Sequence, residues 1–202
     1  ALLAKKLACV STRFVVSERI NAMSGEPRRL GVISFVIKLL SRCLYPTADI
    51  IHAVSQGVAD ASAKHLHIPR ENIHVVYNPT FTYAISDLAN EPDNLSLLIP
   101  NDGPLIVAAG RLTSQKDFST LIRAFALVRE SVANARLVIM GQGSMHSELV
   151  LLADKLSLGD SVLFPGFVDN PFAVMKRASL FVLSSAWEGL PNVLIQAMAC
   201  GV

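Results

Sequence analysis

Apolar and polar positions in the second half of the chain form short apolar runs separated by segments with helical spacing. Residues 105–109 are one continuous apolar run, typical of a strand buried on both faces of a sheet. Glycine, proline or a polar turn separates most runs from the segment that follows. The predicted elements are strands over 105–109, 135–140, 161–164 and 180–184, and helices over 118–130, 148–156, 171–177 and 191–200.

This alternation of strand and helix predicts a parallel, doubly wound sheet. Sheets of this kind bind ligands at the carboxyl ends of their strands, so we expect the loops after the strands to carry the functional site. The last predicted helix has Pro191 near its start and Gly201 at its end, the positions that these residues favour at helix termini.

The first part of the chain carries a second set of predicted elements. These are strands over 13–17, 49–55 and 72–77, and helices over 30–44 and 56–65. Ser55 is the expected N-cap of the second of these helices. Residues 79–103 show no clear period and contain three prolines. We predict a domain over 1–78, a linker or hinge over 79–103 and a second domain over 104–202.

Composition limits the class of protein. The chain has 202 residues, of which 51% are hydrophobic and 17% charged, enough to bury one core or parts of two domains. Cys9, Cys43 and Cys200 are widely spaced, which is typical of a reducing compartment, so we expect a cytoplasmic protein. The five histidines lack metal-ligand spacing, and we predict no metal site. The chain begins without Met and ends abruptly, so we expect a fragment of a longer protein.

Positive charge is concentrated in residues 1–50, which hold eight Lys or Arg against three acidic residues. Such a segment could contact an anionic membrane surface or acceptor, or could simply be a solvated face. The longest apolar stretch, residues 30–45, is about 16 residues and shorter than the roughly 20 that a membrane-spanning helix needs. We predict a buried helix there, and no nucleic-acid partner.

The loop after the first strand of the second domain carries Gly110, Arg111 and Lys116 just ahead of a helix. Two cations beside a helix N-terminus suit a diphosphate, because Arg can form paired bonds to phosphate oxygens and Lys adds a point charge. A solvated loop is the alternative interpretation.

Two further loops follow strand ends. Glycines in Gly141-Gln142-Gly143 allow close approach of the backbone to a ligand or to another loop. In the last loop, Glu188 precedes Gly189-Leu190-Pro191 and a helix whose N-terminus could receive phosphate. A carboxylate beside an anion needs hydroxyl partners, which a sugar provides. Alternatively, Glu188 only caps its neighbours.

Several motifs together resemble one family, the family-4 (group 1) glycosyltransferases of GT-B fold, and the resemblance covers most of the chain. The motifs are Gly110-Arg111-Leu112, Lys116-Asp117-Phe118, Gly141-Gln142-Gly143, Phe164-Pro165-Gly166-Phe167-Val168, Glu188-Gly189-Leu190-Pro191-Asn192-Val193 and Ala197-Met198-Ala199-Cys200-Gly201. Residues 49–55 and 73–79 resemble the end of that family's acceptor domain.

The resemblance implies an α/β protein with two Rossmann-like, doubly wound parallel-sheet domains, both incomplete in this chain. It implies a retaining glycosyltransferase that moves a sugar from a nucleotide-diphosphate-sugar donor to a glycan or lipid-linked acceptor, without a required metal or cofactor. A nucleotide-sugar epimerase of GT-B fold and a non-catalytic nucleotide-sugar-binding protein remain alternatives. The fragment alone is expected to be inactive.

Site residues follow from the same resemblance. Arg111 and Lys116 match the pair that binds the donor diphosphate and stabilises charge on the leaving group. Glu188 matches the residue that contacts the transferred sugar. Residues assigned to donor binding are Gly110, Gly141, Gly143, Phe167, Val168, Gly189, Leu190, Pro191, Asn192, Val193 and Gln196. Among them, Phe167 and Val168 match the place where the base packs.

Two positions depart from the family pattern. Gln196 stands where a second Glu usually holds the ribose hydroxyls, and an amide oxygen accepts a hydrogen bond without the charge. Arg19 stands where many members have a His near the reaction centre.

Overall fold

The structure, a computed structural model, describes residues 2–8, 10–20, 31–92, 95, 98–99 and 102–202. The chain divides into two compact units. Unit 1 comprises Ala1–Asn78 and Trp187–Leu190, and unit 2 comprises Pro79–Ala186 and Pro191–Val202. Positions used in the sequence analysis that lie outside the described residues are Cys9, Arg28, Arg29, Leu30, Pro100 and Asn101.

Unit 1 is built on a parallel sheet with the strand order β1-β2-β3. Its elements are α1 (Leu2–Ala8), β1 (Val15–Glu18), α2 (Gly31–Leu44), β2 (Ile50–Ala53), α3 (Gln56–Leu66) and β3 (Ile73–Val75). Ser55 caps α3 as predicted, because its Oγ accepts a hydrogen bond from the Val58 backbone N–H at 3.2 Å. Helix α3 ends at His67, whose φ of 57° is left-handed.

One face of this sheet packs on α3. Ile51, Ala53 and Ile73 point to that face and form a core cluster with the buried side chains of α3, including Val58 and Leu66. Alternate strand positions point the other way, as the two-residue period of a strand requires.

Unit 2 contains a four-stranded parallel sheet with the order β6-β5-β4-β7. Its elements are α4 (Ala84–Ala89), β4 (Leu105–Ala109), α5 (Phe118–Ser131), β5 (Arg136–Met140), α6 (His146–Lys155), β6 (Val162–Gly166), α7 (Pro171–Arg177), β7 (Leu180–Phe181) and α8 (Asn192–Ala199). Every strand and helix predicted for the second domain is present, but β7 ends at Phe181 rather than at residue 184.

Both faces of this second sheet are covered. Ile106 and Ala108 of β4 join a cluster with the buried residues of α5 and α6. Leu105 and Val107, the alternate positions, join a second cluster with residues of α7 and α8. The sheet is therefore doubly wound, which confirms the predicted fold class.

Helix α4 lies in the segment 79–103, where the sequence pattern shows no element. It buries Ile85 and Ala89, four residues apart, and packs against α7. The Asn170 side-chain amide donates to the Leu88 carbonyl at 2.8 Å, and Lys176 donates to the side chain of Asn90. Six residues are too few to show a helical period in the sequence, so the packing on α7 is what reveals this helix. The sequence pattern does not predict helix α1 either.

Candidate functional site

The loops after β4 and β7 leave the sheet where its strand order reverses. β5 lies on one side of β4 and β7 on the other. The two loops touch, because the Ser184 hydroxyl donates to the Lys116 carbonyl at 2.7 Å and the Ala186 N–H donates to the Gln115 carbonyl at 2.9 Å. Open parallel sheets bind their ligands at such a switch point, beyond the carboxyl ends of the strands.

Glycines bring the loops after β4 and β5 together. A β-carbon on Gly141 would lie 2.0 Å from the Gly110 carbonyl oxygen, and the φ of Gly141 is +138°, where other residues are strained. A β-carbon on Gly143 would lie 2.3 Å from the Leu112 carbonyl oxygen. The sequence allowed these glycines to approach either a ligand or another loop. The structure shows that they approach another loop.

A pocket of about 340 Å³ opens beside these loops. Its lining residues are Ala109, Gly110, Arg111, Met140, Gly141, Gln142, Phe167, Val168 and Pro171. Most of them are apolar or glycine, and Arg111 and Gln142 contribute the polar side chains. The Phe167 side chain is 70% exposed, so much of its surface is open to a ligand. A small apolar pocket with few polar groups is typical of small-molecule sites.

The pocket brings together five of the predicted site residues, namely Gly110, Arg111, Gly141, Phe167 and Val168. Lys116 does not line it but lies against its edge, because a β-carbon on Gly110 would be 3.1 Å from Cε of Lys116. Lys116 ends a short turn, and the next residue, Asp117, caps α5 by accepting from the Thr120 hydroxyl at 2.8 Å and from its N–H at 3.4 Å. The loop therefore carries both predicted cations beside Gly110.

The helix after the last loop, α8, holds four other predicted residues. Pro191 is its N-cap, and in the part of the chain that the structure describes no side chain caps it. The Asn192 side-chain oxygen accepts from the Thr80 hydroxyl at 3.1 Å. Val193 packs into the core of unit 2, and Gln196 is half-buried.

Glu188, Gly189 and Leu190 belong to unit 1. The Ser55 hydroxyl donates to the Gly189 carbonyl at 2.8 Å, and Leu190 packs against the core cluster of that unit. Arg19, which the sequence resemblance places at the position of a His, lies beside Gly189: a β-carbon on Gly189 would be 2.0 Å from the Arg19 carbonyl oxygen.

Four pocket residues are absent from the site predicted from sequence: Ala109, Met140, Gln142 and Pro171. Ala109 and Met140 end β4 and β5, Gln142 lies between two predicted glycines, and Pro171 starts α7. Position at a strand end or a helix start is the sequence signal that could have found them.

Among the described residues, two titratable groups outside the predicted site have a shifted pKa. Burial raises the pKa of Tyr45, and a hydrogen bond to the Glu18 carboxylate at the end of β1 raises it further. Burial also raises the pKa of the Cys200 thiol, against a smaller opposing effect of Lys176.

The described residues contain neither a cluster of metal ligands nor a membrane-spanning helix. Within them, no three His, Cys, Asp or Glu residues are grouped so that they could hold a metal ion. No helix in the same ranges has the length and apolar character required to cross a membrane.

Known proteins resemble this chain in sequence and in fold. The profile of the family described as glycosyl transferases group 1 matches residues 90–202. An uncharacterized glycosyltransferase of Methanocaldococcus jannaschii is 34% identical over 94% of this chain and 46% of its own length. The N-acetylgalactosamine-N,N'-diacetylbacillosaminyl-diphospho-undecaprenol 4-alpha-N-acetylgalactosaminyltransferase of Campylobacter jejuni is also 34% identical, over 94% of this chain and 49% of its own.

Among solved structures, Anabaena HepE in complex with UDP-glucose superposes with a TM-score of 0.77. It is 20% identical, and the match covers 99% of this chain and 54% of that one. This likeness shows the fold. The chain spans about half the length of the curated relatives it matches.

Proposed function

Because the chain belongs to the group 1 glycosyl transferases, we propose that it forms part of a retaining glycosyltransferase using a nucleotide-diphosphate-sugar donor. The acceptor is a glycan or a lipid-linked glycan. The observation that carries this proposal is the pocket beside Arg111, which combines apolar walls with a cation at the switch point of a doubly wound sheet. The diphospho-undecaprenol in the name of the Campylobacter relative supports the lipid-linked class.

Binding of the donor is divided among the loops. The base packs on Phe167 and Val168, whose pocket is large enough for one small ring system. Arg111 and Lys116, on the adjacent loop, bind the diphosphate. The N-terminus of α8 adds its partial positive charge. Glu188 accepts hydrogen bonds from hydroxyls of the transferred sugar.

In the reaction, the bond between the anomeric carbon and the diphosphate oxygen breaks. The acceptor hydroxyl oxygen forms the new bond on the same face of the sugar, and its proton passes to the departing diphosphate. Arg111 and Lys116 stabilise the negative charge that develops on that diphosphate. Such electrostatic stabilisation of the transition state is commonly the largest single contribution to catalysis.

Replacing either cation tests the proposal. In the complete gene product, Arg111→Ala or Lys116→Ala should lower turnover about 100-fold or more, as for other groups that stabilise developing charge. Arg123→Ala is the matched control, since Arg123 is an exposed arginine on α5 of the same unit. The measurement is transfer from a panel of nucleotide sugars to glycan and lipid-linked acceptors, with products identified by mass spectrometry.

Unchanged turnover in both variants would contradict the assignment. Donor binding without any product would favour the nucleotide-sugar-binding alternative, and an isomerised donor would favour an epimerase. Activity should survive a strong chelator. Loss of activity with a chelator, and rescue by a divalent ion, would contradict a mechanism without a metal.

We assign Gln196 to the ribose hydroxyls. A charged acceptor contributes about 1.5–3 kcal/mol and a neutral one about 0.5–1.5 kcal/mol, so Gln196→Glu should tighten donor binding by roughly 1 kcal/mol, or about fivefold. The gain should fall on donor KM, since the ribose lies away from the breaking bond. Calorimetric titration of both proteins with donor measures it, and equal or weaker affinity in a folded Glu variant contradicts the assignment.

We also propose a cytoplasmic location, with contact to the inner membrane face through the basic first quarter. Residues 1–50 carry eight Lys or Arg against three acidic residues, a balance that favours anionic lipids. The complete gene product should therefore sediment with vesicles containing anionic lipid and not with neutral vesicles, and high salt should release it. Equal sedimentation with both vesicle types contradicts this proposal.

A further inference from the structure

The segment Trp187–Leu190, called here the Glu188 turn, is part of unit 1, although the residues on either side of it in sequence belong to unit 2. The turn contains no helix or strand, so its conformation depends on what it touches. Within unit 1, Gly189 and Leu190 of this turn make three contacts that the structure describes.

The first contact is a hydrogen bond from Ser55. Its hydroxyl donates to the Gly189 carbonyl at 2.8 Å, and the same oxygen accepts from the Val58 N–H at 3.2 Å. These directions are fixed, because a carbonyl can only accept and a backbone N–H can only donate. Ser55 therefore uses one hydroxyl for two purposes, since it caps α3 and anchors the Glu188 turn.

The other two contacts lie on either side of that bond. The backbone of Gly189 is so close to Arg19 that a β-carbon would lie 2.0 Å from the Arg19 carbonyl oxygen. Leu190 packs against the apolar cluster that contains Val54 and Val58. The Gly189 carbonyl and the residues beside it are thus held by a hydrogen bond, by backbone contact and by apolar packing.

We propose that Ser55 is a positioning residue for Glu188, an inference that rests on the sugar-binding role proposed above. Ser55 acts through the backbone, since its hydroxyl donates to the carbonyl of the residue next to Glu188. Fixing that carbonyl restricts the backbone one residue beyond Glu188, and so restricts the direction in which the Glu188 side chain leaves the chain. Catalytic geometry is sensitive to such placement, and a displacement of 1 Å can cost roughly 100-fold in rate.

Two substitutions separate this role from simple helix capping. Asp caps a helix about as well as Ser, but an ionised carboxylate has no proton to donate to the Gly189 carbonyl. Thr keeps both the cap and the donor. Ser55→Asp therefore removes the anchor while preserving the cap, and Ser55→Thr preserves both.

The test measures kcat, UDP affinity and Tm of both variants in the complete gene product. Ser55→Asp should lower kcat by about 10-fold to 100-fold. Its UDP affinity and Tm should stay close to those of wild type, because the helix cap and the nucleotide pocket are untouched. Ser55→Thr should retain most of the turnover. Hydrogen exchange should be faster in the Glu188 turn of Ser55→Asp and unchanged in α3.

Wild-type turnover in Ser55→Asp, or equal loss in Ser55→Asp and Ser55→Thr, overturns the inference. So does a loss of turnover that is matched by a fall in Tm and by faster exchange throughout α3. Failure of the proposed function gives a different result: wild type transfers no sugar, or Glu188→Gln turns over like wild type. In that case exchange in the Glu188 turn still decides whether Ser55 anchors it.

Discussion

The two parallel sheets of this chain differ in how their faces are covered. β4 and β5 of unit 2 bury nearly every side chain, on both faces. In the described part of unit 1, one face of the sheet packs on α3. On the other face, called here the open face, Val15, Ile50 and the residue after β3, Val76, are 61%, 44% and 59% exposed. Parallel sheets are normally covered on both faces, so the core of unit 2 should dominate the stability of the chain.

The open face also carries polar residues, as expected for a face that is exposed to solvent. Ser17 and His52 are register partners in β1 and β2, and the Ser17 hydroxyl lies 2.9 Å from His52 Nδ1. His52 Nε2 lies 2.8 Å from the Val76 carbonyl, which can only accept, so Nε2 donates to it. In a neutral imidazole, Nδ1 then accepts from the Ser17 hydroxyl. β1 and β2 thus place Ser17 and His52 on the open face, whereas β4 of unit 2 carries only apolar residues.

The largest loss of stability is expected from a substitution in the core of unit 2. Phe125 of α5 is 1% exposed, and Phe125→Ala should lower the free energy of unfolding by about 3–5 kcal/mol. Ile50→Ala on the open face should cost less than about 1 kcal/mol. Urea unfolding followed by circular dichroism measures both, and the fluorescence of the single tryptophan, Trp187, reports on unit 1. Equal costs would mean that the open face is covered in solution.

A smaller loss of stability is expected from a substitution where the loops after β4 and β5 meet. Gly141→Ala places a β-carbon 2.0 Å from the Gly110 carbonyl oxygen at a φ of +138°. Relief of that clash requires backbone movement, so the free energy of unfolding should fall by about 1–3 kcal/mol. Nucleotide affinity should fall as well, because both glycines line the pocket. Wild-type stability and affinity in this variant would show that the loops separate freely.

The stability of unit 1 should depend on pH in the alkaline range. The pKa of Tyr45 is raised above its ordinary value of 10.0, so the folded state holds this proton more tightly than the unfolded state. The stabilisation is fully present below pH 10 and is lost as the pH rises towards the folded pKa. Tyr45→Phe, which removes the hydrogen bond to Glu18, should cost about 1 kcal/mol at neutral pH.

The cost of Tyr45→Phe should shrink above pH 10, which urea midpoints of both proteins at several pH values would reveal. Glu18→Gln is the partner control, since it removes the charge that contributes to the shift. A cost that stays constant through the alkaline range would mean that Tyr45 titrates alike in the folded and unfolded states.

The smallest expected effect is a gain in stability. Gly57 lies in the first turn of α3, and a β-carbon there would meet nothing within 4 Å. Gly57→Ala should therefore raise the free energy of unfolding by about 0.5–1 kcal/mol, by reducing the freedom of the unfolded chain. Urea midpoints measure this as well, and a loss of stability would show that the space around α3 is filled in solution.

Much of the fold could be predicted because its signals are local. The run at residues 105–109 predicts β4 with the bounds that the structure has, and Ser55 predicts the start of α3. Helix α4 could not be predicted, since it has only six residues and its packing on α7 joins segments far apart in sequence. The family was recognisable for a related reason: motifs such as Gly110-Arg111-Leu112 are short and continuous in sequence.

Some features of the candidate site could likewise be predicted from the sequence, and others could not. By itself the sequence determined the element order, the doubly wound sheet and the loops that carry Arg111, Lys116 and Glu188, because periodicity and turn chemistry act over a few residues. Only the tertiary structure decided that Gln142 shares a pocket with Phe167 and that Ser55 holds the carbonyl of Gly189. Ser55 and Gly189 are 134 positions apart, and a contact over that separation forms only when the chain folds.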